Sequence, residues 1–261
     1  MALIIKKTPP TAKVKKALMS DYLLDDVHGH RVNRQTFEIF IGGDPRHLEG
    51  HSDMDYEEPG VEYMMADRFD INLGVLSSID PGRPVAVYMA SCGGCFEAGM
   101  QMVGAILTCP NPVTIIATKW ARSMTSIIPL AADKFVMRPL VKYMYHHGKS
   151  AFSGLDQEAS TADIERRWSR EVMMRIYTAR LKSQGKYKDK SPVWIRAELD
   201  RLLKDKIDVW FTPDEAVEWG FADAVFTGNH DTLRATKKNL VRRDMMMNVL
   251  RQPVNIEVKV S

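Results

Sequence analysis

Residues 84–96 read Pro84-Val85-Ala86-Val87-Tyr88-Met89-Ala90-Ser91-Cys92-Gly93-Gly94-Cys95-Phe96. A continuous apolar run of this length marks a strand buried on both faces of a parallel sheet. The paired glycines end the run, and Phe96–Leu107 then carries the apolar face of a helix. Val113–Thr118 (VTIIAT) supplies the next buried strand. Strand, turn, helix and strand in this order imply right-handed crossovers and an α/β layered domain.

The same alternation extends in both directions. Upstream, Thr36–Ile41 is β-rich and stops at Gly42-Gly43. Asp44–Gly60 is a polar loop, and Met64–Ile79 has helical spacing at Met65, Phe69, Leu73 and Leu76 before Asp80-Pro81-Gly82 ends it. Downstream come the small-residue segment Ala121–Ala132 and short strands at Phe135–Met137 and Lys142–Tyr145. Leu155–Ser183 spaces Ile164, Trp168, Val172, Ile176 and Leu181 as a long helix. A short helix follows at Glu198–Lys204. Thr212-Pro213-Asp214-Glu215 opens another, with Thr as N-cap, Pro at the first position and Glu three residues on.

Composition excludes several classes. The chain has 261 residues, 45% hydrophobic and 26% charged, which is ordinary for a globular protein and excludes disordered or fibrous chains. Three cysteines, Cys92, Cys95 and Cys109, make no disulfide framework and point to a reducing compartment. No stretch approaches the 18 or so apolar residues of a bilayer span. The opening Met-Ala-Leu-Ile-Ile is too short for a signal-peptide core, so the expectation is a cytoplasmic protein. The net charge of +3 hides a division. Residues 1–35 and 231–261 each carry seven Lys/Arg against three Asp/Glu, which leaves the body acidic at −5. Basic ends invite nucleic acid, but no aromatic interleaving supports it, and they read better as arms that meet acidic surfaces.

Three segments can carry chemistry. Ser91-Cys92-Gly93-Gly94-Cys95 exposes backbone N–H groups beside a helix N-terminus, suited to an oxyanion, a phosphate or a closely approaching peptide. It also contains a C-x-x-C, open to a thiol-oxidoreductase reading, to a poor zinc reading with too few ligands, or to a tight turn with two small thiols. Ser123, in Ala121-Arg122-Ser123-Met124-Thr125-Ser126, taken alone is an N-cap, and the segment is not a G-x-S-x-G elbow. His146, in Tyr143-Met144-Tyr145-His146-His147-Gly148, taken alone is structural as readily as it is a general base. His47, His51, Asp53 and Asp55 lack a metal-ligand pattern and read as a solvated loop. His28 and His30 read as a turn, and Met245-Met246-Met247 as packing.

Taken in order, these segments resemble the Clp protease proteolytic subunit (ClpP) family of serine peptidases from Glu38 to about Phe226. The family's Ser-Pro-Gly-Gly turn is similar to Ser91-Cys92-Gly93-Gly94, and its Ala-Ser-Met segment to Arg122-Ser123-Met124 through Ala131-Ala132-Asp133. Its Met-Ile-His resembles Met144-Tyr145-His146, and the Thr-Asp-Ile-Glu of its handle helix resembles Ala162-Asp163-Ile164-Glu165. Its final Asp-x-Phe-x-Ser-x-x-Glu-Ala-x-x-Tyr-Gly-Leu-x-Asp resembles Asp208–Thr212 and then Glu215–Asp223.

The resemblance implies a layered α/β fold shared with crotonases, built of repeated β-β-α units with a protruding handle helix. It divides the chain into a basic N-terminal extension (1–35), a protease-like domain (36–228) and a basic C-terminal extension (229–261). It implies Ser123 as nucleophile, His146 as general base and Asp208 as the residue orienting the imidazole. Gly93 and Met124 would form the oxyanion hole, and Gly94 and Cys95 would lie along an extended peptide substrate. It implies no metal and no cofactor. It further implies a homo-oligomeric ring of seven, possibly doubled, fed with unfolded protein by an AAA+ unfoldase that consumes the ATP.

This chain departs from the family in several places. Cys92 stands where the family has proline, and Cys95 adds a thiol. His147 adjoins His146, and Asp200 and Asp205 precede Asp208. Segments 44–62 and 184–193 are extra. Other settings for the same residues are a phage capsid-maturation protease, a catalytically silent ring subunit and a crotonase-type acyl-CoA enzyme.

Overall fold

A computed structural model describes residues 25–42, 60–148, 156–254 and 256. The strands are β1 (Val32–Asn33), β2 (Glu38–Gly42), β3 (Val85–Ser91), β4 (Val113–Arg122), β5 (Lys134–Met137), β6 (Lys142–His146), β7 (Asp208–Phe211) and β8 (Ala224–Val225). The helices are α1 (Tyr63–Ile79), α2 (Phe96–Thr108), α3 (Met124–Ile127), α4 (Asp156–Ser183), α5 (Pro192–Asp205), α6 (Pro213–Trp219) and α7 (Leu240–Arg251). The mixed α/β layered fold is the expected one. The loop expected at 44–60 and the histidines at 47 and 51 lie almost wholly outside the described residues.

The sheet runs β1-β2-β3-β4-β5-β8 and forks at β4, where β6 is a second partner. From β2 to β8 the pairings are parallel, and β1 is antiparallel to β2. The early half of β4, Thr114–Ala117, pairs with β5, while its late half, Trp120–Arg122, pairs with β6. A register shift against β3 between Met89 and Ser91 separates the two halves. β7 then closes antiparallel on β6. The apolar run of β4 predicts only Val113–Thr118; the strand continues through Lys119-Trp120-Ala121-Arg122 because β6 supplies a second partner there.

Alternation along the strands fills two cores. Val85, Val87, Met89, Ile115, Phe135 and Met137 face the main cluster with α1, α2 and α4. Ala86, Ile116 and Val136 face the other side, where Leu233 and Phe226 cover them. The chain after β8 therefore crosses this second face as a strap. The Ala235 N–H donates to Thr114 Oγ1 (2.7 Å), and Arg234 reaches Glu38.

α7 completes the wrap. Its buried residues are Arg242, Arg243 and Met246, and they face the body of the same chain. Arg243 binds Asp133 through both Nε and Nη2, and Arg242 binds Asp223. The basic C-terminal segment does meet acidic groups, and those groups belong to its own chain. Of the three methionines expected to pack, Met246 is fully buried in the core.

Two helices bear on the sequence expectation. The short helix expected at Glu198–Lys204 begins instead at Pro192, because Ser191 caps it by accepting from the Trp194 N–H and Pro192 occupies the first turn. The capping box at Thr212 forms as expected, with Glu215 bonded reciprocally. Gly220 ends α6 in the left-handed region (φ 102°), pressed so closely on Gln184 that a Cβ would sit 2.4 Å from its carbonyl oxygen.

Candidate active site

The fork in the sheet gathers the site. Ser123 follows the last residue of β4, and its N–H donates to the Met144 carbonyl of β6 (3.2 Å). On the far side of β6, His146 and Asp208 are opposite partners in the β6–β7 ladder. Two adjacent strand pairings thus bring Ser123 and Asp208 to one place from distant parts of the chain.

The resulting contacts form a line. His146 Nε2 lies 2.8 Å from Ser123 Oγ, and His146 Nδ1 lies 3.2 Å from Asp208 Oδ1. The histidine side chain is 8% exposed and the aspartate 27%, so the pair sits at the boundary between core and solvent. His147, one residue past the end of β6, lines the neighbouring cleft and lies 3.7 Å from Asp200, and burial is the main reason its pKa falls below the usual histidine value. Of the two neighbouring histidines and the candidate aspartates, the geometry brings His146 and Asp208 to Ser123. The Asp205 side chain is outside the described residues.

Ser123 adopts φ 54° and ψ −127°, a conformation that is uncommon for a residue with a Cβ. Such a backbone costs on the order of 1–3 kcal/mol and persists only where the surroundings hold it. Here they do. Thr125 Oγ1 shares its one proton between the Ser91 (2.8 Å) and Arg122 (2.9 Å) carbonyls and accepts from the Arg122 N–H. Ser126 donates to the Ser123 carbonyl from both its N–H and its hydroxyl. Arg122 Nε reaches the Cys92 carbonyl and ties the two turns together.

Gly93 abuts this turn with φ 103°. A Cβ added there would lie 2.6 Å from Ser123 Cβ and 3.1 Å from the Met124 nitrogen. Only glycine fits, and the closeness packs Gly93 directly against the Ser123–Met124 peptide. The Met124 N–H opens α3, where no carbonyl of the preceding turn is available to it.

Gly94 and Cys95 are more constrained than the sequence implies. Val61 forms a parallel bridge there, donating its N–H to the Gly93 carbonyl and accepting from the Cys95 N–H (2.8 Å). One backbone edge of this turn is already paired within the chain. The Cys95 thiol lies 3.0 Å from a Glu97 carboxylate oxygen. A cleft of about 240 Å3 opens over these groups, lined by Cys95, Phe96, Ser123, Met124, His147 and Met173 among others.

Val61, Thr125 and Ser126 are not legible as site residues in the sequence. For Thr125 and Ser126 a faint signal exists, since three hydroxyls within four positions interrupt an otherwise apolar stretch. Val61 offers none, being a lone apolar residue in a polar loop. Among the described residues no group of three or more His, Cys, Asp or Glu is placed to hold a metal ion, and no helix is long and apolar enough to cross a membrane.

Comparison with known proteins identifies the family and the fold. A family model described as Clp protease matches residues 55–229. An ATP-dependent Clp protease proteolytic subunit of Bacteroides fragilis is 30% identical over 167 residues, covering 63% of this chain and 74% of the relative. The ATP-dependent Clp protease proteolytic subunit 1 of Chlamydia abortus is 28% identical over 178 residues, covering 67% and 86%. The solved structure of a mutant ClpP1 from Listeria monocytogenes superposes with a TM-score of 0.57 at 22% identity, covering 77% of this chain and 96% of that one.

Proposed function

The chain belongs to the Clp protease family, and from that premise we propose that it is a serine endopeptidase with Ser123 as nucleophile. The observation that carries this reading is the unbroken line from Ser123 Oγ through the His146 ring to Asp208, at 2.8 and 3.2 Å. A serine hydroxyl is a weak nucleophile at neutral pH, and a histidine can both take its proton and return it.

In the proposed cycle Ser123 Oγ attacks the scissile carbonyl carbon while its proton passes to His146 Nε2. Asp208 stabilises the imidazolium so formed and holds Nδ1–H on its own side. The negative charge that develops on the carbonyl oxygen meets the N–H groups of Gly93 and Met124. Collapse of the intermediate breaks the C–N bond, and His146 gives the proton to the departing amine. Water, deprotonated by the same histidine, then hydrolyses the acyl-enzyme and regenerates Ser123. The strained Ser123 backbone supports this assignment, because strain held in place by a hydroxyl network aims the nucleophile before substrate arrives.

The relatives are named proteolytic subunits of an ATP-dependent protease. On that ground we extend the proposal to a homo-oligomeric ring that receives unfolded protein from an AAA+ partner, with no nucleotide site needed in this chain. The deciding experiment is labelling with a fluorophosphonate probe. Modification at Ser123 that disappears in Ser123→Ala supports the serine mechanism, and peptide cleavage retained in Ser123→Ala overturns it. Light scattering on the same preparation reads the ring, which requires seven or fourteen times 29.6 kDa.

A further inference from the structure

Behind the catalytic turn lies a chain of buried hydroxyls that the triad does not use. The Ser126 hydroxyl donates to the Ser123 carbonyl oxygen at 2.7 Å. A serine has one hydroxyl proton, and here it is committed to that carbonyl. The 2.6 Å contact between Ser126 Oγ and Tyr177 Oη must then have the tyrosine as donor. Tyr143 Oη donates in turn to the Ser126 carbonyl (3.0 Å). All three side chains are fully buried, and burial drives both tyrosines well above the ordinary phenol range, so they remain donors at any working pH.

The Ser123 carbonyl belongs to the same peptide plane as the Met124 N–H. In a planar trans amide the C=O and N–H vectors point in opposite directions. Anchoring the oxygen inward on Ser126 therefore turns the Met124 N–H outward, toward the side where Gly93 lies. The torsion that sets this plane is the unusual ψ of Ser123.

We infer that Ser126 and Tyr177 are positioning residues that aim the Met124 amide at the oxyanion, with Tyr177 fastening the turn to helix α4. The inference rests on the reading of Ser123 as nucleophile. Its consequence is specific to the transition state. The aimed amide matters when charge appears on the substrate oxygen, so loosening it lowers kcat and leaves substrate binding intact.

The test compares full-length wild type, Ser126→Ala, Ser126→Thr and Tyr177→Phe on one peptide substrate and one peptide boronate, which forms a tetrahedral adduct. Active sites are counted by fluorophosphonate titration. Ser126→Ala and Tyr177→Phe are expected to lose about tenfold in kcat per titrated site with KM within about twofold. Boronate affinity falls by the same factor, and Ser126→Thr, which keeps a hydroxyl, restores most of both. Unchanged kcat and boronate affinity in Ser126→Ala and Tyr177→Phe overturn the relay. Activity loss that follows only the number of titratable sites also overturns it, since that marks a purely structural role. Wild type that fails to label at Ser123 removes the nucleophile reading and the relay together, whereas wild type that labels beside equally competent variants removes the relay alone.

Discussion

Asp133 and Asp208 each face a nitrogen-bearing side chain, and the two are held in opposite ways. Asp133 is fully buried and takes two donors from Arg243 and one N–H each from Val113 and Asn239. Arg243 directs two of its other N–H groups to the Cys109 and Asn111 carbonyls. Asp208 is partly open to solvent and meets the His146 ring at a single 3.2 Å contact. A carboxylate saturated by four donors can only hold two parts of a fold together. One with spare capacity can respond when a proton arrives on the ring beside it. The chain places its saturated carboxylate under the C-terminal wrap and its responsive one behind the His146 ring, partly open to solvent.

That contrast can be broken experimentally, and the largest effect belongs to the responsive side. Ser123→Ala is expected to lower peptide cleavage by about 10^5–10^6 in kcat, with thermal melting unchanged. Asp208→Asn comes next, at about 10^4 in kcat, because an amide cannot stabilise the imidazolium and favours the wrong tautomer. Its urea midpoint should stay at the wild-type value. A midpoint shift in Asp208→Asn comparable to that of an Asp133 variant would erase the distinction.

On the saturated side, Arg243→Ala leaves a buried carboxylate without its guanidinium and is expected to cost about 3–5 kcal/mol in urea unfolding. The molecules that remain folded should keep wild-type kcat. The smallest effect is read by pH. Burial pushes the Asp223 carboxyl up, but Arg180, Arg242 and the Phe135 N–H more than offset it and hold it at about 2, below the ordinary 3.8. A depressed carboxylate stabilises the fold above its unfolded pKa and loses that contribution as pH falls through the folded one. Stability should therefore decline by roughly 2 kcal/mol between about pH 4 and pH 2, and Asp223→Asn should flatten that limb. The same burial draws Arg180 down to about 10 despite its aspartate. Charge attraction between Asp223 and its two arginines, led by Arg180, is what offsets burial in this cluster.

The two sides also differ in how far the sequence discloses them. Buried β-strands, the glycine turn and the Thr212 capping box follow from period and turn chemistry, and Ser123 and His146 stand at strand ends where such residues are visible. β7 is hidden because Asp208-Val209-Trp210-Phe211 is short and half exposed, so its placement comes from β6 and not from its own pattern. Helix α7 is hidden because two of its buried residues are arginines, which apolar periodicity counts as surface. The hydroxyl chain from Tyr177 to Ser126 joins residues 51 positions apart, and neither side chain signals the other locally.

The fork of β4 has a further consequence for how far an error of register can spread. β5 and β6 grip separate portions of β4, Thr114–Ala117 and Trp120–Arg122. A one-residue slip on the β5 branch would turn Phe135 and Met137 to the wrong face, yet the pairings that place Met144 and His146 would keep their register. Backbone register on the strap side is therefore set separately from register on the cleft side, and the Phe135 ring against Tyr143 is a side-chain contact that joins the two branches.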